Sequence, residues 1–416
     1  MSDVSGVHTS VLLPSAGISL FVKDAGIREA ALSLREDWRF ARVTINVVDG
    51  DVESAITYFE SNPSPDLVMV ETLEIADGFA GRLEVLGGNC AENTAAVVVG
   101  PVNDVYLYRK LIEIGVSDYL VKPLSKEVLA SVFAKILIER LGAENSKLIA
   151  CIGSKGGVGT STLSHMMADV SGNSLHQKTI ILDAAGGWSY LSVAMGGESV
   201  TTLHEVARAA TSTDNDSFGR MIIPVGEKLS YLATGAESLM DDSVSSESFE
   251  GIINRLMQSY PVVIIDLSYA PIAIQRTVLA RANDVVIIST PTLSALRSAR
   301  GLLNETKTIR GDKADGIHIV INKKGVGSGY EVSESDMATA LKIKPELSLS
   351  FLPKIFCAAE GQGKLLSSLS GSADIIQTVK NFMENKLGLN TERGSSGAVT
   401  SKAGFLDGFL SKVTKK

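Results

Sequence analysis

Cysteine is scarce in this chain. Its 416 residues hold three, Cys90, Cys151 and Cys357, scattered and with no C-x-x-C pair. That excludes a disulfide framework and a cysteine zinc site, and it fits a reducing compartment. Long apolar runs are missing as well. No stretch reaches the roughly 18 uninterrupted apolar residues of a membrane span, so no transmembrane helix is expected. The first 17 residues contain no basic segment followed by an apolar one, so no signal peptide is expected. Positive charge is not in excess. The formal net charge is −8 and the isoelectric point is about 5.3, which disfavours broad, non-specific nucleic-acid binding and leaves only a local basic patch open. The expected location is the cytoplasm or the periphery of a membrane.

Apolar residues are plentiful, at 45%, enough for sizeable cores, and the length predicts two or three domains. From 18 to 141, short apolar segments at 18–22, 43–47, 67–70, 95–99 and 118–121 alternate with amphipathic helical stretches, the last over 126–141. Five β/α repeats predict a doubly wound parallel sheet. A polar joint follows. A second α/β pattern spans 148–388, with strands expected at 148–152, 179–183, 262–266, 285–289 and 317–322. Continuous apolar runs of this kind suit parallel strands buried on both faces. Residues 1–17 read as a tail, 389–404 as a Gly/Ser/Thr-rich linker, and 405–416 as a closing amphipathic segment.

The segment 151–162 carries the chemistry. It reads Cys-Ile-Gly-Ser-Lys-Gly-Gly-Val-Gly-Thr-Ser-Thr. A standard phosphate-binding loop reads G-x-x-x-x-G-K-[ST]. Gly153 and Gly159 frame the loop here, Ser161 stands where a magnesium-binding hydroxyl belongs, and Thr160 takes the place of the lysine. Gly156, Gly157, Val158 and Gly159 let backbone N–H groups turn toward an anion, and the helix that follows points its positive end there. Thr160, Ser161 and Thr162 add hydroxyls.

The early Lys155 and the Gly156-Gly157 pair resemble the deviant P-loop of the MinD/ParA class. The resemblance implies an α/β nucleotide switch using ATP and Mg2+, working as a homodimer in which Lys155 reaches the partner's nucleotide. Asp183, at the end of the next strand, takes the place of a family acid; a second family acid two residues on is here Ala185. Asp266 closes a Walker-B-like strand and is expected to meet the metal through water. Asn322-Lys323 resembles the family's adenine-side Asn and basic residue. Phe351-Leu352-Pro353, followed by Ala358-Ala359-Glu360-Gly361, resembles its late adenine loop. The resemblance thus assigns Lys155 and Asp183 to catalysis, Ser161 and Asp266 to the metal, and Asn322 and Pro353 with the loop to the nucleotide. With the loop lysine and the second acid both replaced, binding groups are kept and hydrolytic groups depleted. Loss of one preorganised stabiliser alone costs about 10²–10³ in rate.

Residues 18–141 resemble a response-regulator receiver, chiefly through Lys122-Pro123 after the fifth strand. Three positions depart from that chemistry. Glu71 stands where the phosphorylated Asp is expected, the acidic cluster after the first strand shrinks to Lys23-Asp24, and Gly100 replaces the switch hydroxyl. A receiver that takes no phosphate, used for docking or dimerisation, is expected. Lys23 is expected to pair with Glu71, and Lys122 to survive as a structural residue.

In the tail, Phe405, Leu406, Phe409, Leu410 and Val413 share one helical face, with Lys412, Lys415 and Lys416 among the polar positions. The segment resembles the membrane-targeting tail of MinD-type proteins and is expected either to touch membrane or to pack on protein. A receiver-like domain before this loop resembles the TadZ/CpaE family of type IVb (Flp/Tad) pilus-assembly proteins. That resemblance implies a dimer that localises a secretion machine and recruits its motor ATPase and inner-membrane parts. Two other classes stay open: a hydrolysing partition or division-site ATPase, and a nucleotide-independent scaffold.

Overall fold

The computed structural model describes residue 13 and residues 16–72, 78–91, 94–140, 146–186, 189, 191–198, 201–212, 215–232, 234–235, 244–312 and 314–390. Residues 141–145 of the expected joint over 141–147, residues 391–404 of the expected linker over 389–404, and the expected tail over 405–416 lie outside these. The chain divides into two compact units, split between residues 144 and 145.

The first unit is built on β1 (Ala16–Phe21), β2 (Val43–Val48), β3 (Leu67–Glu71), β4 (Ala95–Gly100) and β5 (Asp118–Val121). They form one parallel sheet in the order β2-β1-β3-β4-β5. β3 and β4 are buried along their whole length, because helices cover both faces. On one face α1 (Ala25–Ser33) and α5 (Lys126–Arg140) supply Ile27, Ala31, Leu129, Phe133 and Leu137. On the other, α2 (Val52–Phe59), α3 (Phe79–Asn89) and α4 (Val105–Glu113) supply Ile56, Phe59, Leu83, Leu86 and Leu111. This is the receiver-type doubly wound order, whose ligand crevice lies between β1 and β3, where the winding reverses.

Glu71 ends β3 at that crevice and is 1% exposed. The partner of its carboxylate is Lys122, not Lys23. Lys122 Nζ pairs with Glu71 and stands 3.7 Å from Asp24, whereas Lys23 Nζ turns outward to Asp51 at 2.6 Å. Lys23 contributes its backbone instead: the N–H groups of Lys23 and Asp24 donate to Glu71 Oε2 at 2.6 and 2.8 Å. Burial opposes ionisation of Glu71, but Lys122 and these amides outweigh it and hold the carboxyl below its ordinary range. Gly100 has a packing reason. A Cβ there would strike the hydroxyl of Tyr119, which is held in place by donating to Val102 O at 2.8 Å.

The second unit carries β6 (Lys147–Gly153), β7 (Thr179–Asp183), β8 (Ile223–Pro224), β9 (Leu229–Leu232), β10 (Val262–Asp266), β11 (Asp284–Ser289), β12 (Ile317–Lys324) and β13 (Leu347–Ser350). Their order is β13-β12-β11-β6-β10-β7-β9-β8, and all are parallel except β8. β6 occupies the middle. The chain leaves it through α6 (Thr160–Asp169) toward β7 on one side, and β10 later crosses to β11 on the other. The carboxyl end of β6 is therefore a switch point, where open α/β sheets hold ligands. β8, β9 and β13 are additions to the expected strands. They are short and lack the Val/Ile runs that marked the others. Among the described residues, no helix is long and apolar enough to cross a membrane.

Candidate functional site: a phosphate-binding loop with paired acids

The loop between β6 and α6 turns on two left-handed glycines, Gly157 at φ +78° and Gly159 at φ +90°. Neither conformation suits a side chain, and a Cβ on Gly159 would also meet the Asn322 amide. β12 clamps the loop from outside. Asn322 Nδ2 donates to Val158 O at 2.9 Å, and Lys323 Nζ donates to Gly157 O at 2.7 Å. Ser154 N–H bonds Ile288 O and Leu163 N–H bonds Gly159 O. Between them, the N–H groups of 155–162 donate to no acceptor among the described residues. The carbonyls are tied back and the donors are left for a ligand, at the N-terminus of a ten-residue helix. This arrangement suits an anion. The cleft it lines has about 520 Å³ of free space, within the range of ligand pockets.

Thr160 does not reach outward as a lysine would. It is 6% exposed, and its hydroxyl lies over the Cα of Gly153, so a Cβ there would collide with it. Counting back from Gly159, the first glycine of the standard spacing falls on Ser154, one residue past Gly153. Lys155 is exposed, and its ammonium donates to Ser294 Oγ at 3.3 Å.

Ser161 and Asp266 meet through Ser268. Ser161 Oγ donates to Ser268 Oγ at 3.2 Å, and Ser268 N–H donates to Asp266 Oδ1 at 2.9 Å. The other oxygen, Asp266 Oδ2, is buried with no hydrogen-bond partner. Asp183 sits beside Asp266 in the β7–β10 register and accepts Ala185 N–H at 2.9 Å. Burial raises both acids above the ordinary carboxylate range. Asp183 is pushed up to about 7, first by burial and then by the charge of Asp266. An unsatisfied buried carboxylate oxygen beside a serine hydroxyl fits a divalent cation. Among the described residues no group of three or more His, Cys, Asp or Glu could hold a metal ion.

Not every expected residue converges. Asn322 spends its amide on the loop and on its neighbour, Lys323 N–H, at 2.8 Å. Pro353 opens the helix Pro353–Gln362 and is not among the residues lining the cleft. Thr162 lines the cleft, and also a small apolar cavity behind α6. Sequence reasoning passed over Ser268, Tyr269 and Gln275, which line the cleft after β10. Tyr269 is marked by strain, at φ +58° and 79% exposed. Only its position three residues past Asp266 could have pointed to it.

No protein-family model matches the chain. The septum site-determining protein MinD of Thermotoga maritima is 24% identical over 281 residues, which span 64% of this chain and 98% of that protein. The crystal structure of a ParA family ATPase from Chlorobium tepidum is similar at 17% identity and a TM-score of 0.52, covering 58% of this chain and 99% of that one. A crystal structure of the pilus assembly protein CpaE from Caulobacter crescentus is 35% identical with a TM-score of 0.29, covering 30% of this chain and 95% of that one. The likeness to the ParA family ATPase concerns the fold alone. The chain contains a MinD/ParA-like P-loop ATPase fold.

Proposed function

We propose that the second unit binds ATP with Mg2+, hydrolyses it slowly or not at all, and uses the bound state to hold a homodimer that localises and assembles a type IVb (Flp/Tad) pilus machine. The carrying observation is the unpaired set of loop N–H groups at 155–162 beside the orphaned Asp266 Oδ2. The loop N–H groups would hold the phosphates, and Ser161 and Asp266 the metal, which supplies neutralising charge between phosphate oxygens. Thr160, folded over Gly153, supplies no cation to the phosphates. Ala185 offers no carboxylate to orient water. Both absences support slow turnover.

A dimer is supported by what surrounds the cleft. Tyr269, which lines the cleft, is 79% exposed, and Lys155 of the same cleft is held by Ser294, the neighbour of Leu293, itself 79% exposed. Large exposed apolar side chains beside a site mark an interaction surface. The pilus part of the reading rests on the receiver-like fold preceding this loop sequence. In that reading the first unit takes no phosphate, since Lys122 fills the acid crevice, and serves as a docking domain. It recruits the motor ATPase and inner-membrane proteins from the cytoplasmic side.

Isothermal titration with ATP and Mg2+ tests the binding step, with Gly159→Val expected to abolish it. A turnover near the enzyme median of about 10 per second would overturn slow hydrolysis. Deleting the gene should remove surface pili, with rescue by the wild type and not by Gly159→Val; unaltered pili would overturn the assembly role.

A further inference from the structure

A serine hydroxyl beside a buried carboxylate has an easy way to spoil a cation site. Ser161 can turn its proton to Asp266. Burial disfavours the charge on Asp266, and the nearby Ser161 hydroxyl is the first of the groups that oppose it, ahead of the amide and hydroxyl of Ser268. A proton given by Ser161 to Asp266 Oδ2 would use up the one carboxylate oxygen that has no partner. The two groups would then satisfy each other rather than a cation.

Ser268 blocks that outcome. Ser161 Oγ donates to Ser268 Oγ at 3.2 Å, so its proton is already engaged. A hydroxyl has one donor and two acceptor lone pairs, and with the proton held by Ser268 the lone pairs stay available. The amide of Ser268 meets Asp266 at Oδ1, 2.9 Å away, and leaves Oδ2 alone. The turn that delivers Ser268 is anchored at both ends. Leu267 N–H donates to Cys151 O of β6 at 2.9 Å, and Gln275 Nε2 donates to Ala270 O at 2.9 Å. Ala270 N–H closes the turn on Leu267 O at 3.3 Å. Tyr269 is the third of its four residues and is left-handed, at φ +58°, where glycine is favoured. Burial of its ring does not offset this, since Tyr269 is 79% exposed. Backbone strain of this kind persists where the surroundings fix it, and it points to a functional constraint. What this turn fixes is the direction of Ser268.

We propose that Ser268 is the positioning residue of the cation site: its hydroxyl takes the proton of Ser161 and so keeps Ser161 Oγ and Asp266 Oδ2 open to Mg2+. The inference rests on the reading of this cleft as a site for ATP and Mg2+. Ser268 acts through Ser161 and need not touch the ion. The hydrogen bond that Ser161 donates to it gains charge assistance beside a bound cation. Groups that orient a metal ligand in this way are worth about 10–100-fold in metal affinity.

The test titrates ATP into the full chain by calorimetry, first in EDTA and then in excess Mg2+, with wild type, Ser268→Ala, Ser268→Cys and Ser268→Thr. Ser268→Ala keeps the backbone amide and its bond to Asp266 Oδ1, so it removes the hydroxyl alone. Its affinity for ATP in EDTA should match wild type, while the gain on adding Mg2+ should fall about 10–100-fold. Ser268→Cys, a weaker acceptor of similar size, should show a smaller loss of the same kind. Ser268→Thr retains a hydroxyl and should recover most of the gain. Equal weakening in both media would mean a merely structural role and would overturn the proposal. An unchanged Mg2+ gain in Ser268→Ala would overturn it too, while leaving the ATP reading intact. Mn2+ alone, followed by loss of its free electron paramagnetic resonance signal, separates the two readings in the other direction. Wild type that binds Mn2+ but no ATP, with Ser268→Ala weaker, would keep Ser268 in this role and remove the nucleotide. Wild type that binds neither would sink both.

Discussion

Asp183 and Asp266 lie side by side across the β7–β10 pairing, both buried, and no ion pair joins either to a cation among the described residues. Two like charges in one dry place disfavour the doubly ionised state. The arrangement stores an unfavourable charge that a bound cation would relieve.

Asp183→Asn should therefore stabilise the ligand-free protein above neutral pH. Asn keeps an oxygen for Ala185 N–H and removes the charge. The folded-state acid titrates near 7 against an ordinary 3.8, so the native state is penalised increasingly as pH rises between these values. The gain should be absent near pH 4 and reach about 1–4 kcal/mol at pH 8. Thermal melts of both proteins across that range check it, and a constant difference would sink the idea.

The Lys122–Glu71 pair makes a separate prediction. Lys122→Met leaves a buried carboxylate without its cation. The expected loss is about 2–3 kcal/mol at pH 7, below that for a fully enclosed pair because the lysine is 21% exposed. Adding Glu71→Gln should recover part of it. Urea unfolding reads both. Incubation with acetyl phosphate should leave the intact mass unchanged; a gain of one phosphoryl group would refute a closed crevice.

Asn322→Ala removes the clamp on Val158 O. Loss of one such hydrogen bond, with a cavity beside Gly159, should cost about 1–2 kcal/mol and weaken ATP binding without changing the fold. Calorimetric titration beside circular dichroism separates the two effects.

His318 predicts a pH response of the same sign as Asp183, in a higher pH window, because both folded-state values are raised. Its ring bridges Asp284 at 2.9 Å and Glu346 at 2.6 Å, while Lys147 also reaches Asp284, at 2.9 Å. Lys386 lies 3.8 Å from Glu346. Burial opposes the imidazolium, but the two carboxylates outweigh it and raise His318 above its ordinary 6.5. That stabilisation is fully present below the unfolded value and is lost as pH climbs through the folded one. Wild type should lose stability relative to His318→Gln on going from pH 6 to pH 9. Parallel curves would remove the bridge from the account.

For the tail at 405–416, outside the described residues, the expectation is weak, reversible membrane affinity reinforced by two copies in a dimer. Flotation with anionic liposomes should fall for a truncation after Gly404 and for Phe409→Asp. Equal flotation of all three forms would exclude the segment.

Much of the fold was legible because buried parallel strands need continuous apolar runs. Segments such as Val262–Asp266 satisfy that on both faces at once. β8, β9 and β13 escaped notice because each is only two to four residues long and takes its place from its neighbours' hydrogen bonds. The glycines of the loop were legible for another reason: left-handed backbone is open to glycine and to little else.

The choice of lysine for Glu71 could not be read in the same way. Lys23 stands two residues past the end of β1 and Lys122 one past the end of β5, yet one turns to Asp51 and the other to Glu71. Nor did spacing reveal that Asn322 and Lys323 tie down the loop carbonyls, or that Ser268 joins Ser161 to Asp266. What the amino-acid order determined alone were the strands, the turns and the chemical types available at each strand end, since these follow from local conformational preference and apolar patterning. Which side chains meet across 50 or 160 residues, and which carboxylate is left without a partner, only the tertiary structure decided, because the direction of a side chain depends on the register and packing of segments remote in the chain.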